Sequence, residues 1–70
     1  MKYNAELIQK NFLRIKEKKG VTLQQIITGT GLGSQTITNV AYGKKTYPSI
    51  TTLINIANYF DIDLNEFFKK

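Results

Sequence analysis

The sequence contains no cysteine and no histidine, which excludes disulfides and the usual zinc ligands as sources of stability. Chains below about 80 residues often need such cross-links or a partner chain, so helix packing, with or without dimerisation, must stabilise these 70 residues. No apolar run approaches the roughly 18 residues of a membrane span, and the N-terminus lacks a signal-peptide hydrophobic region. We therefore expect one soluble, cytoplasmic domain over residues 1–70, without a metal or another cofactor.

Acidic residues are few: five Asp or Glu oppose ten Lys or Arg, giving a formal net charge of +5. Such a balance attracts phosphate polyanions where the cations cluster. The cations are spread over several predicted elements rather than beside one amphipathic stripe, which disfavours a membrane-surface helix. Most of the lysines are predicted to be solvated surface residues. For Lys44 and Lys45 a specific role is predicted, because they directly follow a helix described below.

Capping residues and apolar spacing predict five helices and no strand. Apolar residues recur at helical spacing between the predicted caps, and Thr22 with Gln25 makes a capping box that opens the second helix. The runs TITNV and SITTLINIA alone could suggest strands, but the caps and the spacing outweigh that reading. The predicted helix starts are Asn4, Thr22, Ser34, Ser49 and Asp63, and the predicted stops include Gly20, Gly31 and Gly43.

The predicted core is formed by one stripe from each helix. The fourth helix has the widest stripe and is predicted to be the central buried helix. Leu13 lies off the stripe of the first helix, so it is either exposed or part of an intermolecular contact. The predicted core residues of these two helices are Ile8, Phe12, Ile15, Ile50, Leu53, Ile54, Ile56, Ala57 and Phe60.

A glycine-rich segment, residues 29–33, is predicted to break the second helix, with Gly31 in the left-handed conformation of the turn. Its G-x-G-x-G pattern resembles part of a nucleotide-binding loop. No strand precedes it and no Lys-Ser or Lys-Thr pair follows it, so we discard that interpretation. The segment is instead the turn between two short helices.

The third predicted helix, Ser34 to Tyr42, has one apolar side and one uncharged, hydrogen-bonding side. Amides, hydroxyls and methyl groups can match the donor, acceptor and thymine-methyl pattern of a DNA major groove. A helix, a glycine turn and such a second helix make a helix-turn-helix, and double-stranded DNA is its predicted partner. The outward-facing residues are Gln35, Thr38, Asn39 and Tyr42.

These residues resemble the lambda-repressor-like, or Cro/C1-type, helix-turn-helix family. The resemblance runs from the first-helix core to Phe67, and Gly31, Ile37, Val40 and Gly43 stand at the spacing of the family's turn, core contacts and helix stop. It implies an all-α, compact five-helix DNA-binding domain that binds operators as a dimer. It further implies base contacts from Ser34, Gln35, Thr38 and Asn39, and phosphate contacts from Thr22, Gly33, Tyr42, Lys44, Lys45 and Tyr47.

The sequence departs from the family pattern at three places. Leu23 stands where relatives commonly have a phosphate-contacting Gln, so only backbone donation remains there. Ile27 replaces a small Ala at the crossing of the second and third helices, which should change their separation or angle. Lys16 and Ala41 replace an Arg–Glu pair found in several members, and losing both partners avoids leaving a buried charge.

The resemblance implies a transcriptional regulator of the phage-repressor or Cro kind that binds a roughly palindromic operator. Its dimer contact is predicted at the C-terminal end, with Phe67 folded inward and Phe68 nearer the partner. An antitoxin or another protein-interaction module of the same fold is the alternative. An enzyme is disfavoured, because no nucleophile–base pair or metal site can be assembled from these residues. The predicted dimer surface comprises Ile62, Leu64, Phe67 and Phe68.

Overall fold

The computed structural model describes residues 4–43 and 48–70, so the predicted phosphate contacts Lys44, Lys45 and Tyr47 lie outside the described residues. Within those ranges the chain is all-helical, as predicted, but it does not form five α-helices. It forms four α-helices and one short 3-10 helix. Their bounds are α1 Ala5–Lys19, α2 Leu23–Thr30, α3 Ser34–Tyr42, α4 Ile50–Phe60 and the 3-10 helix Leu64–Phe68.

The C-terminal element is a 3-10 helix because its start is held by tight local hydrogen bonds. The Asp63 carboxylate accepts from the Asn65 N–H at 2.8 Å, and the Asp63 carbonyl accepts from the Glu66 N–H at 3.0 Å. The second of these is the i to i+3 bond that defines the tighter helix. Asp63 is therefore the predicted cap, but of a 3-10 helix rather than of a fifth α-helix.

The predicted caps Asn4, Thr22 and Ser49 are confirmed by their hydrogen bonds. The Asn4 side chain accepts from the Leu7 N–H, and both halves of the Thr22–Gln25 capping box are formed. A side-chain cap of this kind stabilises a helix by about 1 kcal/mol, since it satisfies one of the first-turn N–H groups. Gly20 and Gly31 close α1 and α2 in the left-handed conformation, with φ of 68° and 72°.

The core lies where the apolar stripes of the helices meet. α1 packs on α3 and the 3-10 helix, while α2 packs on α3 and α4. Leu13, predicted to be exposed or intermolecular, is partly buried against this core. The largest fully buried side chains are Phe12, Phe67, Ile8, Ile26, Ile37, Leu53 and Ile56.

The buried side chain of Asn11 fastens the C-terminal segment to α1. Its Nδ2 group donates to the carbonyl of Phe67 at 2.9 Å and to that of Lys69 at 2.8 Å. Its Oδ1 atom accepts from Arg14, whose guanidinium lies 4.0 Å from Glu66, and Glu66 also pairs with Lys69. Phe67 is thereby held inside at 0% exposure, which confirms its predicted inward position and removes its side chain from the predicted dimer surface.

α4 is not the fully buried helix that its apolar composition suggested. Leu53, Ile56, Ala57 and Phe60 are buried, but Ile50 and Ile54 remain 48% and 44% exposed. α4 packs on α2 and the 3-10 helix, and at about 100° per residue Ile50 and Ile54 lie at the edge of the face that carries the four buried residues.

The predicted break in the second helix is also shorter than expected. Gly29 and Thr30 are the last two residues of α2, and only residues 31–33 form the turn. Gly29 has a packing role, because a Cβ atom at this position would overlap the Tyr59 ring. The glycine therefore allows α4 to approach α2 closely.

Candidate nucleic-acid interface

α2 and α3 are joined by a three-residue turn, Gly31–Leu32–Gly33. The turn packs against the core and is hydrogen-bonded to the end of α2. The Thr30 hydroxyl donates to the Ile26 carbonyl at 2.7 Å and accepts from the Leu32 N–H at 3.3 Å. The Leu32 side chain packs against the core. Because Gly31 supplies the left-handed residue, the chain changes direction within these three positions and α3 packs against α2.

α3 has a buried side and an outer side, as its sequence predicted. Ile37, Val40 and Ala41 are at most 3% exposed and anchor the helix on the core. Among the predicted base-contacting residues, Ser34, Gln35 and Thr38 are exposed and Asn39 is partly exposed. Tyr42, at the end of the same side, is exposed as well. The structure therefore brings these five residues together on one uncharged surface.

Two of these residues are linked by a hydrogen bond across one helical turn. The Nε2 group of Gln35 donates to Oδ1 of Asn39 at 2.9 Å. A side-chain amide has two N–H donors and one acceptor oxygen, so Gln35 keeps its Oε1 and its second N–H, and Asn39 keeps its Nδ2 group. The link restricts the Gln35 amide while leaving it able to donate and accept at once.

The two helix starts at this surface differ in how they are capped. Thr22 accepts the Gln25 N–H with its hydroxyl oxygen, and the Gln25 side chain accepts the Thr22 N–H. This capping box leaves the Thr22 hydroxyl proton free to be donated. Gly33 caps α3 without a side chain, so the first-turn N–H groups of α3 have no side-chain acceptor. Helix starts with exposed N–H groups suit phosphate oxygens.

Charge is absent from this part of the chain. No Asp, Glu, Lys or Arg occurs between Val21 and Gly43, a range that contains all of α2, the turn and α3. Lys44 and Lys45 follow immediately, outside the described residues. The surface itself can therefore contact DNA through hydrogen bonds and apolar contacts only, and those two lysines are the first cations after α3 in the sequence.

Other kinds of site receive no support from residues 4–43 and 48–70. Nowhere in these ranges do three or more histidine, cysteine, aspartate or glutamate side chains gather in a way that could hold a metal ion. The helices of the described chain are also too short or too polar to cross a membrane.

A comparison with family models agrees with this geometry. The model of the Cro/C1-type HTH DNA-binding domain matches residues 11–69. The chain belongs to this family. Domains of this type bind DNA and are typically not enzymes. No curated protein and no solved structure matches the chain.

The three departures from the family pattern are accommodated in different ways. Leu23 and Ile27 are partly buried and pack against the core, so both extend the apolar contacts of α2. Ala41 is fully buried, while Lys16 stays partly exposed. The described part of the chain contains no buried side-chain nitrogen or oxygen without a hydrogen-bond partner, so losing the Arg–Glu pair leaves no unpaired buried charge.

Sequence reasoning missed two polar features of the structure. The Gln35–Asn39 bond could have been found from its i, i+4 spacing, at which an amide pair on a helix is within reach. The role of Asn11 had no such signal, because its carbonyl partners lie 56 and 58 residues further along the chain.

Proposed function

We propose that this Cro/C1-type domain is a sequence-specific regulator of transcription, of the phage-repressor or Cro kind, that places α3 in the major groove of an operator. It would act in the cytoplasm by occupying that operator. The observation that carries the proposal is the uncharged outer side of α3, where Gln35 and Asn39 are joined by a 2.9 Å hydrogen bond.

Gln35 is the proposed principal reader of a base. Adenine presents an acceptor, N7, and a donor, the N6 amino group, at its major-groove edge. The free N–H and Oε1 of Gln35 match this pair, while Asn39 holds the amide and keeps its own Nδ2 for an adjacent acceptor. Ser34 and Thr38, exposed on the same side, contribute hydroxyl and methyl contacts.

Phosphate contacts fix the domain on the duplex without reading its sequence. The Thr22 hydroxyl and the uncapped first turn of α3 at Gly33 supply neutral donors, and Tyr42 supplies an exposed phenol. Lys44 and Lys45, which follow α3 directly in the sequence, supply the remaining contacts together with Tyr47.

A homodimer would let two copies of α3 occupy successive major grooves about 34 Å apart, so the operator would be roughly palindromic. Of the residues predicted at the dimer contact, Ile62, Leu64 and Phe68 are partly buried and pack against the core.

The test is a selection of binding sites from random DNA, followed by affinity measurements for selected and random duplexes at several salt concentrations. Gln35→Ala should reduce the preference for the selected site by about tenfold or more, since a bidentate base contact is worth about 1–3 kcal/mol. Lys44→Ala should weaken binding to all sequences alike and reduce the salt slope by about 1.

The matched control is Gln24→Ala. Gln24 donates to Thr28 on the exposed side of α2, across one turn, much as Gln35 donates to Asn39 on α3. Gln24→Ala also removes a glutamine side chain, but from α2, a helix that is not proposed to enter the groove. The preference for the selected DNA site should therefore not change. Equal preference in the wild-type chain and Gln35→Ala would contradict the proposal.

A further inference from the structure

The hydrogen bond between Gln35 and Asn39 makes the two side-chain amides unequal. Gln35 donates one N–H of Nε2 and keeps the other N–H together with Oε1, so it can still donate and accept. Asn39 uses its Oδ1 to accept this bond and keeps both N–H groups of Nδ2. A second donor that approached Oδ1 would have to share this oxygen with Gln35. Asn39 therefore presents donors to a ligand, whereas Gln35 presents a donor and an acceptor.

Asn39 is held more firmly than Gln35. Asn39 is partly buried and precedes the buried core residue Val40, whereas Gln35 is exposed. The backbone carbonyl of Asn39 accepts from the Gly43 N–H at 2.8 Å, which fixes its backbone in the last turn of α3. Hydrogen bonds become stronger where water is displaced, as at a DNA interface. We therefore expect the Gln35–Asn39 bond to persist when α3 lies in the major groove.

The spacing of the two amides matches neighbouring base pairs. The Nε2 atom of Gln35 lies 2.9 Å from Oδ1 of Asn39, close to the separation of about 3.4 Å between stacked bases. Asn39 also stands one helical turn beyond Gln35, about 6 Å further along α3. If Gln35 contacts an adenine, the base pair next to that adenine is the one within reach of Asn39.

The major-groove edges of the bases determine which base suits a side chain that only donates. Guanine presents two acceptors, N7 and O6, whereas adenine has its N6 amino donor in place of O6, and cytosine presents a donor. An asparagine with a free oxygen suits adenine, because it donates to N7 and accepts from N6. Since Oδ1 of Asn39 already accepts from Gln35, an adenine N6 group would have to compete for it. Guanine has no such need.

We propose that Asn39 selects guanine at the base pair next to the adenine contacted by Gln35, and that the Gln35–Asn39 bond sets this preference. The inference rests on base reading by α3 in the proposed function, and it adds a second base to each half-site. The base chosen by Asn39 is then a property of the linked pair. A change at Gln35 should alter the preference at two base pairs, which two independent contacts would not do.

Competition between duplexes tests the preference. The Asn39 position is the base pair at which Asn39→Ala loses discrimination in a binding-site selection. The wild-type chain should bind guanine there about threefold to tenfold more tightly than adenine, as expected for one hydrogen bond gained or lost. Inosine keeps N7 and O6 and should bind like guanine. Preference for another base, equal affinity for guanine and adenine, or no lost discrimination in Asn39→Ala would overturn the proposal.

Gln35→Met tests the coupling. Methionine is similar in length to glutamine but has no N–H donor, so Oδ1 of Asn39 becomes free to accept from adenine N6. The guanine-to-adenine affinity ratio at the Asn39 position should fall by about threefold or more. Methionine is a good helix former, so the helical circular dichroism should be retained. An unchanged ratio in Gln35→Met would overturn the proposal.

Ser34→Ala is the matched control for Gln35→Met. It removes another exposed polar group from the first turn of α3 but leaves both partners of the Gln35–Asn39 bond in place. The guanine-to-adenine ratio at the Asn39 position should therefore stay within about twofold of the wild-type value. A fall in this control as large as that in Gln35→Met would contradict a role of the bond.

Failure of this inference can be distinguished from failure of the proposed function. If Gln35→Ala loses the preference for adenine at one base pair, but the wild-type chain prefers adenine at the Asn39 position too, the proposed function stands and the guanine assignment is wrong. If Gln35→Ala loses no preference at any base pair, the proposed function itself fails, and the inference fails with it.

Discussion

The helix-turn-helix and the contact between α1 and the C-terminal segment use polar groups in opposite ways. Residues 21–43 contain no charge, and the polar groups of α3 point outward. The α1 contact combines a buried amide, Asn11, with charged partners at its edge. Apart from Lys44 and Lys45, every charged residue lies before residue 20 or after residue 60. The buried amide of Asn11 and its partners contribute to stability, whereas the outer polar groups of α3 are the ones proposed to contact DNA. Substitutions can therefore alter the free energy of unfolding and DNA binding separately.

Asn11→Ala should have the largest effect on stability among these tests. It leaves the Phe67 and Lys69 carbonyls without their donor, so the free energy of unfolding should fall by about 2 kcal/mol. Urea denaturation measures this, with the exposed Asn58→Ala as a control expected to stay within about 0.5 kcal/mol. Sequence preference in the remaining folded protein should not change. Equal stability of the two variants would contradict the role assigned to Asn11.

Gly29→Ala should destabilise the domain by about 1–2 kcal/mol, because its Cβ overlaps the Tyr59 ring, so the ring or α4 must shift. Helix propensity alone predicts the opposite sign, a gain of about 1 kcal/mol. Thr28→Ala, at an exposed position of the same helix, is the control and should not destabilise the domain. Thermal unfolding of both variants decides the matter, and a higher melting temperature for Gly29→Ala would exclude the close contact between α2 and α4.

The salt dependence of DNA binding should be shallow. If Lys44 and Lys45 supply the phosphate charge contacts, the slope of log affinity against log salt is about −2 for each protomer. Lys44→Ala should reduce it to about −1. Fluorescence anisotropy across a salt series measures both slopes. A wild-type slope several-fold steeper would mean that the basic residues of α1 also contact phosphates.

Glu66→Gln should have the smallest effect. It removes the partner of Arg14 and Lys69, yet these pairs are solvent-accessible, so the loss should stay below about 1 kcal/mol. Added salt should reduce the difference from the wild-type chain. A loss as large as that of Asn11→Ala would show that the ion pairs, rather than the buried amide, hold the C-terminal segment.

Local signals in the sequence predicted most of the helical framework. Asn4, Thr22 and Ser49 cap their helices because their side chains lie within reach of the N–H group three residues on. Gly31 was predictable for a similar reason, since the left-handed turn conformation disfavours residues with a Cβ. These interactions involve neighbours in the chain, and neighbours are visible in a sequence.

Features set by distant parts of the chain were not predictable in the same way. Ile50 and Ile54 fit the apolar stripe of α4, but their burial depends on which helices cover that stripe. The packing of Gly29 on Tyr59 likewise depends on how α2 and α4 meet. At the candidate site, the outer residues of α3 followed from helical spacing. The proposal that Gln35 reads a base while Asn39 holds its amide depends on the hydrogen bond between them, which only the structure shows.

The most direct test of the central claim replaces each adenine of a selected operator, one at a time, by 7-deazaadenine. This change removes the N7 acceptor from the major groove and leaves the minor-groove edge intact. We predict that one position in each half-site weakens binding of the wild-type chain by about tenfold and has no effect on Gln35→Ala. Unchanged wild-type binding at every position, or an equal loss in both proteins, would contradict a base contact from Gln35 in the major groove.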